Sequence, residues 1–263
     1  VAKFLSESQG APAQLPDSAI TALTAPVLPA EAREAIMGLP AHSVGGLDGV
    51  PPSLLRAVAD EAALVVADVA NRLLEGHPVP AGFSDAAIRL LHKGGSRADW
   101  TNYRPIALLT SLRRAVAKVF GNRLLRKEGD DASVMERLVH GDQAASVPGR
   151  DIIANIATLQ LLDETLTLEN RPAHAVFLDI KKAFDSLDHD YLQAVLTHAG
   201  LPAPLVGAAM ALQVESKAVL AFESGCSRPF SIERGVKQGC PLSPLLFVVA
   251  IEPLACRLRS LAA

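Results

Sequence analysis

The chain has 263 residues, of which 49% are apolar, with a formal net charge of −3 and three cysteines. This size and composition argue against a disordered chain and suffice for one large domain or two small ones. The sequence contains neither an eighteen-residue uncharged apolar run nor a signal-peptide pattern, so we expect an intracellular protein without a membrane span. The cysteines are odd in number and widely spaced, which argues against a disulfide framework or a C-x-x-C metal site.

The charge is unevenly distributed along the chain. Residues 89–127 contain ten Lys or Arg and one acid, a balance of +9, whereas residues 1–88 and 128–263 each carry −6. A basic segment of this kind is typical of a polyanion-binding surface, because contact with phosphates releases counterions. The alternative is a solvated helix face with acids packed nearby in the fold.

In chain order, the first fifty residues are rich in Ala, Pro and Ser and predict loop with one short helix at 30–37. Apolar periodicity predicts further helices at 53–74, 111–127, 151–168, 187–199 and 204–212. A last helix begins at Ser243-Pro244, and Pro253 should kink or restart it. Strands are predicted at 85–92, 173–179, 216–222 and 230–234. The order indicates an α+β fold with a helical majority and a small sheet.

Asp179 ends the predicted strand 173–179. A carboxylate at the end of a buried strand is costly unless it is paired, hydrogen-bonded or metal-bound, and such oxygens suit Mg²⁺. The ordinary alternative is an acid that caps a turn, and a phosphotransferase of the D-x-D type is disfavoured because Lys181 replaces the second Asp. Phe184 is by default a core aromatic residue. Three further acids are expected to favour the start of the next helix: Asp185, Asp188 and Asp190.

Two glycines, Gly235 and Gly239, flank a basic residue and an amide in the loop GVKQGCPLSP at 235–244. Glycine there allows close approach to the backbone, so Gln238 is expected to bond a base or sugar and Lys237 a phosphate. The alternative is a tight loop that leads into a capped helix.

Lys93 and Arg104 lie on either side of the turn Lys93-Gly94-Gly95-Ser96. A hairpin would bring the two cations together, as binding of a triphosphate requires. The alternative is a basic exposed hairpin.

Taken together, these stretches resemble the reverse transcriptases of non-LTR retrotransposons and their group II intron relatives. The resemblance covers residues 45 to 263 and rests on GLDGVP at 46–51, NYRPIALL at 102–109, the segment 143–153, FLDIKKAFDSLDH at 177–189 and RGVKQGCPLSPLLF at 234–247. It implies a right-hand polymerase with fingers and a partial palm. The implied divisions are an extension at 1–45, a fingers-like region at 46–172 and part of a palm at 173–263.

The resemblance also implies roles for particular residues. Asp179 would be a catalytic metal-binding aspartate, with the carbonyl of Ile180 as a further ligand, for two Mg²⁺ ions about 4 Å apart. Phe184 would exclude a 2′-hydroxyl from the incoming sugar. The implied partners are an RNA template, a DNA primer and a dNTP. The dNTP would meet Lys93, Arg104, Phe184, Gln238 and Gly239, and the nucleic acid would meet Arg113, Arg114, Lys118 and Arg123.

Two features depart from the family pattern. Ala144-Ala145-Ser146 replaces the usual Gly-Phe after Gln143, and the aromatic-x-Asp-Asp motif is missing, since the only Asp-Asp pair is Asp130-Asp131. We therefore expect a fragment that does not polymerise DNA alone, and a co-opted remnant that binds RNA or DNA is the alternative.

Overall fold

The computed structural model describes residues 4–5, 15–127, 132–214 and 216–262, so that Asp130-Asp131 lies outside the described residues. The helices are α1 (Asp17–Thr24), α2 (Pro29–Met37), α3 (Pro52–Ala57), α4 (Ala59–Leu74), α5 (Ser111–Leu125), α6 (Val134–Leu138), α7 (Ile152–Leu168), α8 (Ala183–Ser186), α9 (His189–His198), α10 (Ala203–Ala211) and α11 (Ser243–Ala262). The strands are β1 (Ala86–His92), β2 (Tyr103–Leu108), β3 (Ser216–Phe222), β4 (Gly225–Cys226) and β5 (Phe230–Ile232). The predicted α+β class with a helical majority is confirmed.

The strands form one small mixed sheet in the order β2-β1-β3-β4, with β5 also paired to β3. The β1–β2 pair is the predicted hairpin, antiparallel, with Leu91 opposite Arg104. Strand β1 runs parallel to β3, with Ile88 opposite Leu220. Gly94 and Gly95 turn the hairpin with φ of +117° and +79°, a conformation that favours glycine.

Helix α5 lies at the centre of the core. It packs against α2 and α4, and Val116, Val119 and Phe120 are fully buried. Helix α2 is also part of the core, since Ala32, Ala35 and Ile36 are fully buried. The amino-terminal region therefore holds two helices and contributes to the core, whereas its Ala- and Pro-rich composition predicted mostly loop. Small alanine side chains let the helices approach closely, which composition alone does not show.

The predicted exposed basic face of α5 is wrong at Arg113 and Arg123, both of which are buried. Arg123 is held by Glu31 of α2, with Nε 2.7 Å from Oε1 and Nη2 2.8 Å from Oε2. Its Nη1 donates to the carbonyl of Ala25 at 2.7 Å. An acid packed nearby in the fold thus meets a cation of the basic segment, as the alternative interpretation expects, although this cation is buried and does not lie on a solvated face.

The predicted strand 173–179 is also corrected. Residues 171–180 form neither helix nor strand, and Phe177 is 84% exposed. A strand needs a neighbour for its backbone hydrogen bonds, and none of the described strands pairs with this segment. The preceding helix α7 is present as predicted, yet its apolar side chains, among them Ile153 and Leu161, are exposed.

A single hydrophobic cluster runs through the described parts of the chain from Leu5 to Ala250. It crosses both predicted boundaries, near 45 and 172, so that the division into extension, fingers and palm remains a prediction. Helix α11 continues through Pro253 instead of restarting there. Among the described helices, none is long and apolar enough to cross a membrane.

Candidate nucleotide and nucleic-acid site

The loop at 235–239 joins two parts of the fold by backbone hydrogen bonds. On one side, Gly235 N donates to Leu187 O at 2.7 Å, and Val236 N donates to Phe184 O at 2.9 Å. Gly235 has φ of +88°, and a Cβ there would lie 2.9 Å from the backbone of residues 184 and 185. The glycine is therefore required by the contact with this neighbouring segment.

On its other side the loop contacts strand β2. Ala107 N donates to Gln238 O at 2.7 Å, which adds the loop to the edge of the hairpin. Gly239 has φ of +120°, and a Cβ there would lie 2.5 Å from Ala107 O. The predicted close approach at the two glycines is present, and the approaching groups are backbone atoms of this chain.

Gln238 and Asp185 face each other across this junction. Gln238 Nε2 donates to Asp185 Oδ1 at 3.0 Å. Beside them lies a cavity of about 240 Å³, lined by the loop, by Asp185 and by Ile88, Pro105 and Ala107 of the hairpin. The cavity is therefore bounded by the hairpin, the loop and the segment that follows Asp179.

Asp185 is a site residue that the sequence reasoning missed. It was grouped with Asp188, which does act at a helix start, since its carboxylate accepts from Tyr191 N at 2.9 Å and caps α9. Two acids three residues apart thus have different tasks. The position of Asp185 directly after Phe184 was a usable signal, because both residues belong to the segment that touches the loop.

Phe184 is partly buried and packs on helix α11. Its ring stacks on Phe247 with centroids 4.7 Å apart and planes at 15°. The carbonyl of Phe184 accepts a hydrogen bond from Val236 N, which fixes the position of Phe184 relative to the loop. Phe184, Gln238 and Gly239 are therefore brought together by the fold.

Lys93 and Arg104 are brought together separately. Lys93 N donates to Asn102 O at 2.8 Å, and Arg104 lies opposite Leu91. This register places the two exposed cations on one face as diagonal neighbours, about 7–8 Å apart. Because side chains alternate along a strand, Pro105 and Ala107, which line the cavity, lie on the opposite face.

Lys237 is buried, and the prediction that it meets phosphate is wrong. Its Nζ donates to the carbonyls of Leu212 at 3.0 Å and Gln213 at 3.2 Å, at the carboxyl end of α10. The buried guanidinium of Arg113 donates to the same Leu212 carbonyl, which leaves no reach to a nucleic acid. Burial, followed by the charge of Arg113, lowers the pKa of Lys237 to about 7.

The last two predicted nucleic-acid contacts, Arg114 and Lys118, are partly buried. Arg114 Nη1 donates to Ser43 Oγ at 3.0 Å, and burial lowers the pKa of Arg114. The Lys118 stem lies against Gly38. Both residues attach α5 to residues 38–44, so the exposed cations of the basic segment are elsewhere, including Arg89, Lys93, Arg97 and Arg104 on the hairpin.

The predicted metal ligands Asp179 and Ile180 lie in the exposed segment 171–180. Within the described parts of the chain there is no group of three or more His, Cys, Asp or Glu side chains that could hold a metal ion. One exposed carboxylate does not fit a two-metal centre.

The segment after Gln143 is tied to α11. Arg150 Nη1 donates to the carbonyls of His140 at 2.6 Å and Gln143 at 3.1 Å. Arg259 of α11 binds both carboxylate oxygens of Asp142 at 2.9 Å. These hydrogen bonds from Arg259 are the main reason that the pKa of Asp142 is lowered to about 2.

Comparison with known proteins shows the family of the chain. Residues 91–262 match the family model described as reverse transcriptase (RNA-dependent DNA polymerase). The chain is 30% identical over 237 residues, 90% of its length, to the transposon TX1 uncharacterized 149 kDa protein of Xenopus laevis, of which it covers 18%. It is 29% identical over 88% of its length to the probable RNA-directed DNA polymerase from transposon BS of Drosophila melanogaster, covering 25% of that protein.

A third relative is the retrovirus-related Pol polyprotein from type-1 retrotransposable element R2 of Popillia japonica, 28% identical over 72% of the chain and 25% of that protein. The chain thus spans about a fifth to a quarter of the length of these relatives. The family match covers well over half of the chain and includes strand β2, the loop at 235–239 and the segment around Phe184. The chain belongs to the reverse transcriptase family, as a domain of the non-LTR retrotransposon type.

Proposed function

We propose that this chain supplies the nucleotide-binding part of an RNA-directed DNA polymerase, which adds dNTPs to a DNA primer on an RNA template. The observation that carries the proposal is the junction at Gln238. Its backbone binds β2 and its side chain binds Asp185, which brings hairpin, loop and palm segment to one cavity. A site that must hold a base, a sugar and phosphates needs groups from several elements at one place.

The roles proposed for residues at and beside the cavity come from the resemblance, and the geometry is compatible with them. Gln238 and Gly239 would contact the incoming nucleotide, and Phe184, fixed on Phe247, would present a rigid surface to the sugar. A rigid ring can discriminate against a 2′-hydroxyl because a well-packed side chain moves only at a cost in free energy.

Two further groups complete the proposal. Lys93 and Arg104 are neighbours on the face of the hairpin opposite the cavity-lining side chains, and we assign them to the phosphates by resemblance, which requires the phosphates to pass around the edge of the hairpin. Reverse transcriptases generally depend on Mg²⁺, and we assign Asp179 and the Ile180 carbonyl as ligands by resemblance alone. Mg²⁺ would neutralise phosphate charge in the complete protein.

The test is nucleotide binding by the purified chain in the presence of an RNA template annealed to a DNA primer. Gln238→Ala is expected to weaken binding of the matched dNTP by about tenfold, the loss of roughly one hydrogen bond. The control is Gln193→Ala, because Gln193 is exposed on α9. Equal affinities of the two variants, or absence of dNTP binding by the unmodified chain, would overturn the proposal.

Phe184→Val provides a second measurement on the same site. It is expected to raise the affinity for the matched rNTP relative to the dNTP, since the smaller side chain leaves room for a 2′-hydroxyl. An unchanged ratio would remove Phe184 from the sugar contact and would leave the role of Gln238 intact.

A further inference from the structure

The outer end of the β1–β2 hairpin carries three aromatic rings in contact. Trp100 is 75% exposed, and its ring centroid lies 6.0 Å from that of Tyr103. The Tyr103 ring in turn lies 5.1 Å from the His92 ring. These residues, His92, Trp100 and Tyr103, are called the aromatic end below. A large indole that stays exposed beside other rings offers a flat surface to a ligand.

The loop that presents Trp100 is held by its own hydrogen bonds. Asp99 accepts from the backbone N and the hydroxyl of Thr101 at 2.8 and 2.7 Å, bonds that lower the pKa of Asp99. Asn102 Nδ2 donates to Ser96 O at 2.9 Å, and Tyr103 OH donates to Arg97 O at 3.0 Å. The exposed indole therefore projects from a turn of defined geometry, so binding through it orders few additional groups.

The hairpin is strongly positive. Residues 86–108 contain four cations, Arg89, Lys93, Arg97 and Arg104, against the single acid Asp99. All four cations are exposed. The hydrogen bond between Tyr103 and the backbone of Arg97 places one of them beside the aromatic end. Aromatic surface next to Arg and Lys is typical of proteins that bind single strands by stacking bases and neutralising phosphates.

The aromatic end also lies on the same side of the hairpin as the nucleotide cavity. Tyr103, Pro105 and Ala107 alternate with the outward-facing Arg104, and the latter two line the cavity. Tyr103 and Ala107 are four residue steps apart along β2, which is about 13 Å at the usual rise of a strand. A strand that leaves the cavity along this face would pass the aromatic end.

We propose that the aromatic end binds single-stranded nucleic acid, with one base stacked on Trp100 and Arg97 on a neighbouring phosphate. The proposal rests on the proposed function only for the class of partner. A protein partner would be expected to meet a broad apolar patch, whereas the aromatic end stands beside Arg97 on a hairpin with four exposed cations. Duplexes do not fit either, because their bases are already stacked and unavailable to the indole.

The chain has one tryptophan, so its fluorescence reports on Trp100 alone. Titration with a twelve-nucleotide uridine oligomer is expected to quench the emission as a base stacks on the indole. A duplex of equal length and an inorganic polyphosphate chain are expected to bind through charge without quenching. Quenching by all three ligands, or by none, would overturn the proposal that a base stacks on the aromatic end.

Variants separate stacking from charge, with affinity measured by anisotropy of the labelled oligomer. Trp100→Leu is expected to weaken binding by about 5- to 150-fold, the range for one lost stacked base, while Trp100→Phe retains most of the affinity. Arg97→Ala is expected to make the negative slope of log affinity against log salt concentration shallower by about 0.7. Arg72→Ala is the matched control, because Arg72 is exposed on α4, away from the hairpin.

The outcomes distinguish this proposal from the proposed function. If the oligomer binds with strong salt dependence but Trp100→Leu has no effect, stacking at the aromatic end is overturned and nucleotide binding at Gln238 stands. If Trp100→Leu abolishes oligomer binding while Gln238→Ala leaves dNTP affinity unchanged, stacking at the aromatic end stands and the nucleotide site is overturned. A thermal melt of each variant confirms that the loss does not come from unfolding.

Discussion

The buried Lys237 predicts an unusual dependence of stability on pH. In the folded chain its pKa is lowered from 10.5 to about 7. Between these values the unfolded chain keeps a proton on Lys237 that the folded chain has released. Unfolding then takes up protons, so the free energy of unfolding contributed by this group increases with pH. The destabilisation that results from burying this amine is complete below the folded-state pKa and decreases as the pH rises towards 10.5.

The magnitude follows from the two pKa values. Between about pH 6 and about pH 8.5, the contribution of Lys237 to the free energy of unfolding should rise by about 2 kcal/mol. The groups that face Lys237 are Arg113, Cys240 and Asp85, with Arg113 acting in the same direction as burial. The Lys237 amine remains buried despite this loss of stability because it donates to carbonyls at the negative end of α10.

The perturbation is Lys237→Met, which keeps the length of the side chain and removes the titrating group. Leu212 O retains its bond from Arg113, and Gln213 O retains Ser216 Oγ at 3.3 Å, so neither carbonyl is left without a donor. Urea unfolding followed by circular dichroism should show about 2 kcal/mol less rise over this pH interval for the variant than for the unmodified chain.

Lys217→Met controls for the loss of a lysine as such, because Lys217 is exposed on β3. It should preserve the rise seen in the unmodified chain. Since the remaining titratable groups are the same in the compared proteins, only the difference between the profiles is diagnostic. Parallel profiles for Lys237→Met and the unmodified chain would refute the assignment of a neutral, buried amine.

Three further predictions concern other parts of the site. Gly239→Ala should cost about 2 kcal/mol or more beyond Gly94→Ala in urea unfolding, because both have φ near +120° but only the former meets the β2 backbone; equal costs would contradict the close contact. Arg259→Leu should remove up to about 1 kcal/mol of stability that Asp142, whose pKa is depressed, provides above about pH 4 and loses as the pH falls towards 2; an unchanged acid limb in a pH titration of stability would argue against this pair. The purified chain should not extend a primer, because Asp179 belongs to no group of metal-binding acids in the described residues; extension that Asp179→Ala abolishes would show this to be wrong.

Local signals in the sequence predicted the elements of the site well. The two glycines at 94 and 95 located the hairpin, and strands and register then brought Lys93 and Arg104 together. Asp151 caps α7 by accepting from Ala154 N at 3.0 Å, at the predicted start of that helix. Such features depend on neighbouring residues, which the sequence displays directly.

The errors have a common origin in contacts between distant residues. The basic pattern of α5 does not reveal that Arg123 meets Glu31, 92 positions away, or that Arg113 meets Leu212, 99 positions away. Lys237 looked like a phosphate ligand because a lysine between glycines is usually exposed. The apolar run before Asp179 predicted a strand, but strand formation depends on a partner as well as on composition.

The unpaired segment around Asp179 has a consequence for metal binding. Its carboxylate is exposed, and no strand pairing fixes its position relative to the loop that holds Gln238. A metal ion that uses Asp179 together with other oxygens would have to fix this segment when it binds. The apparent affinity is then the intrinsic affinity reduced by the fraction of molecules in which the segment is already in place. Order in the segment 171–180 and the metal affinity proposed for Asp179 would then be linked, so that any contact that fixes the segment would also raise that affinity.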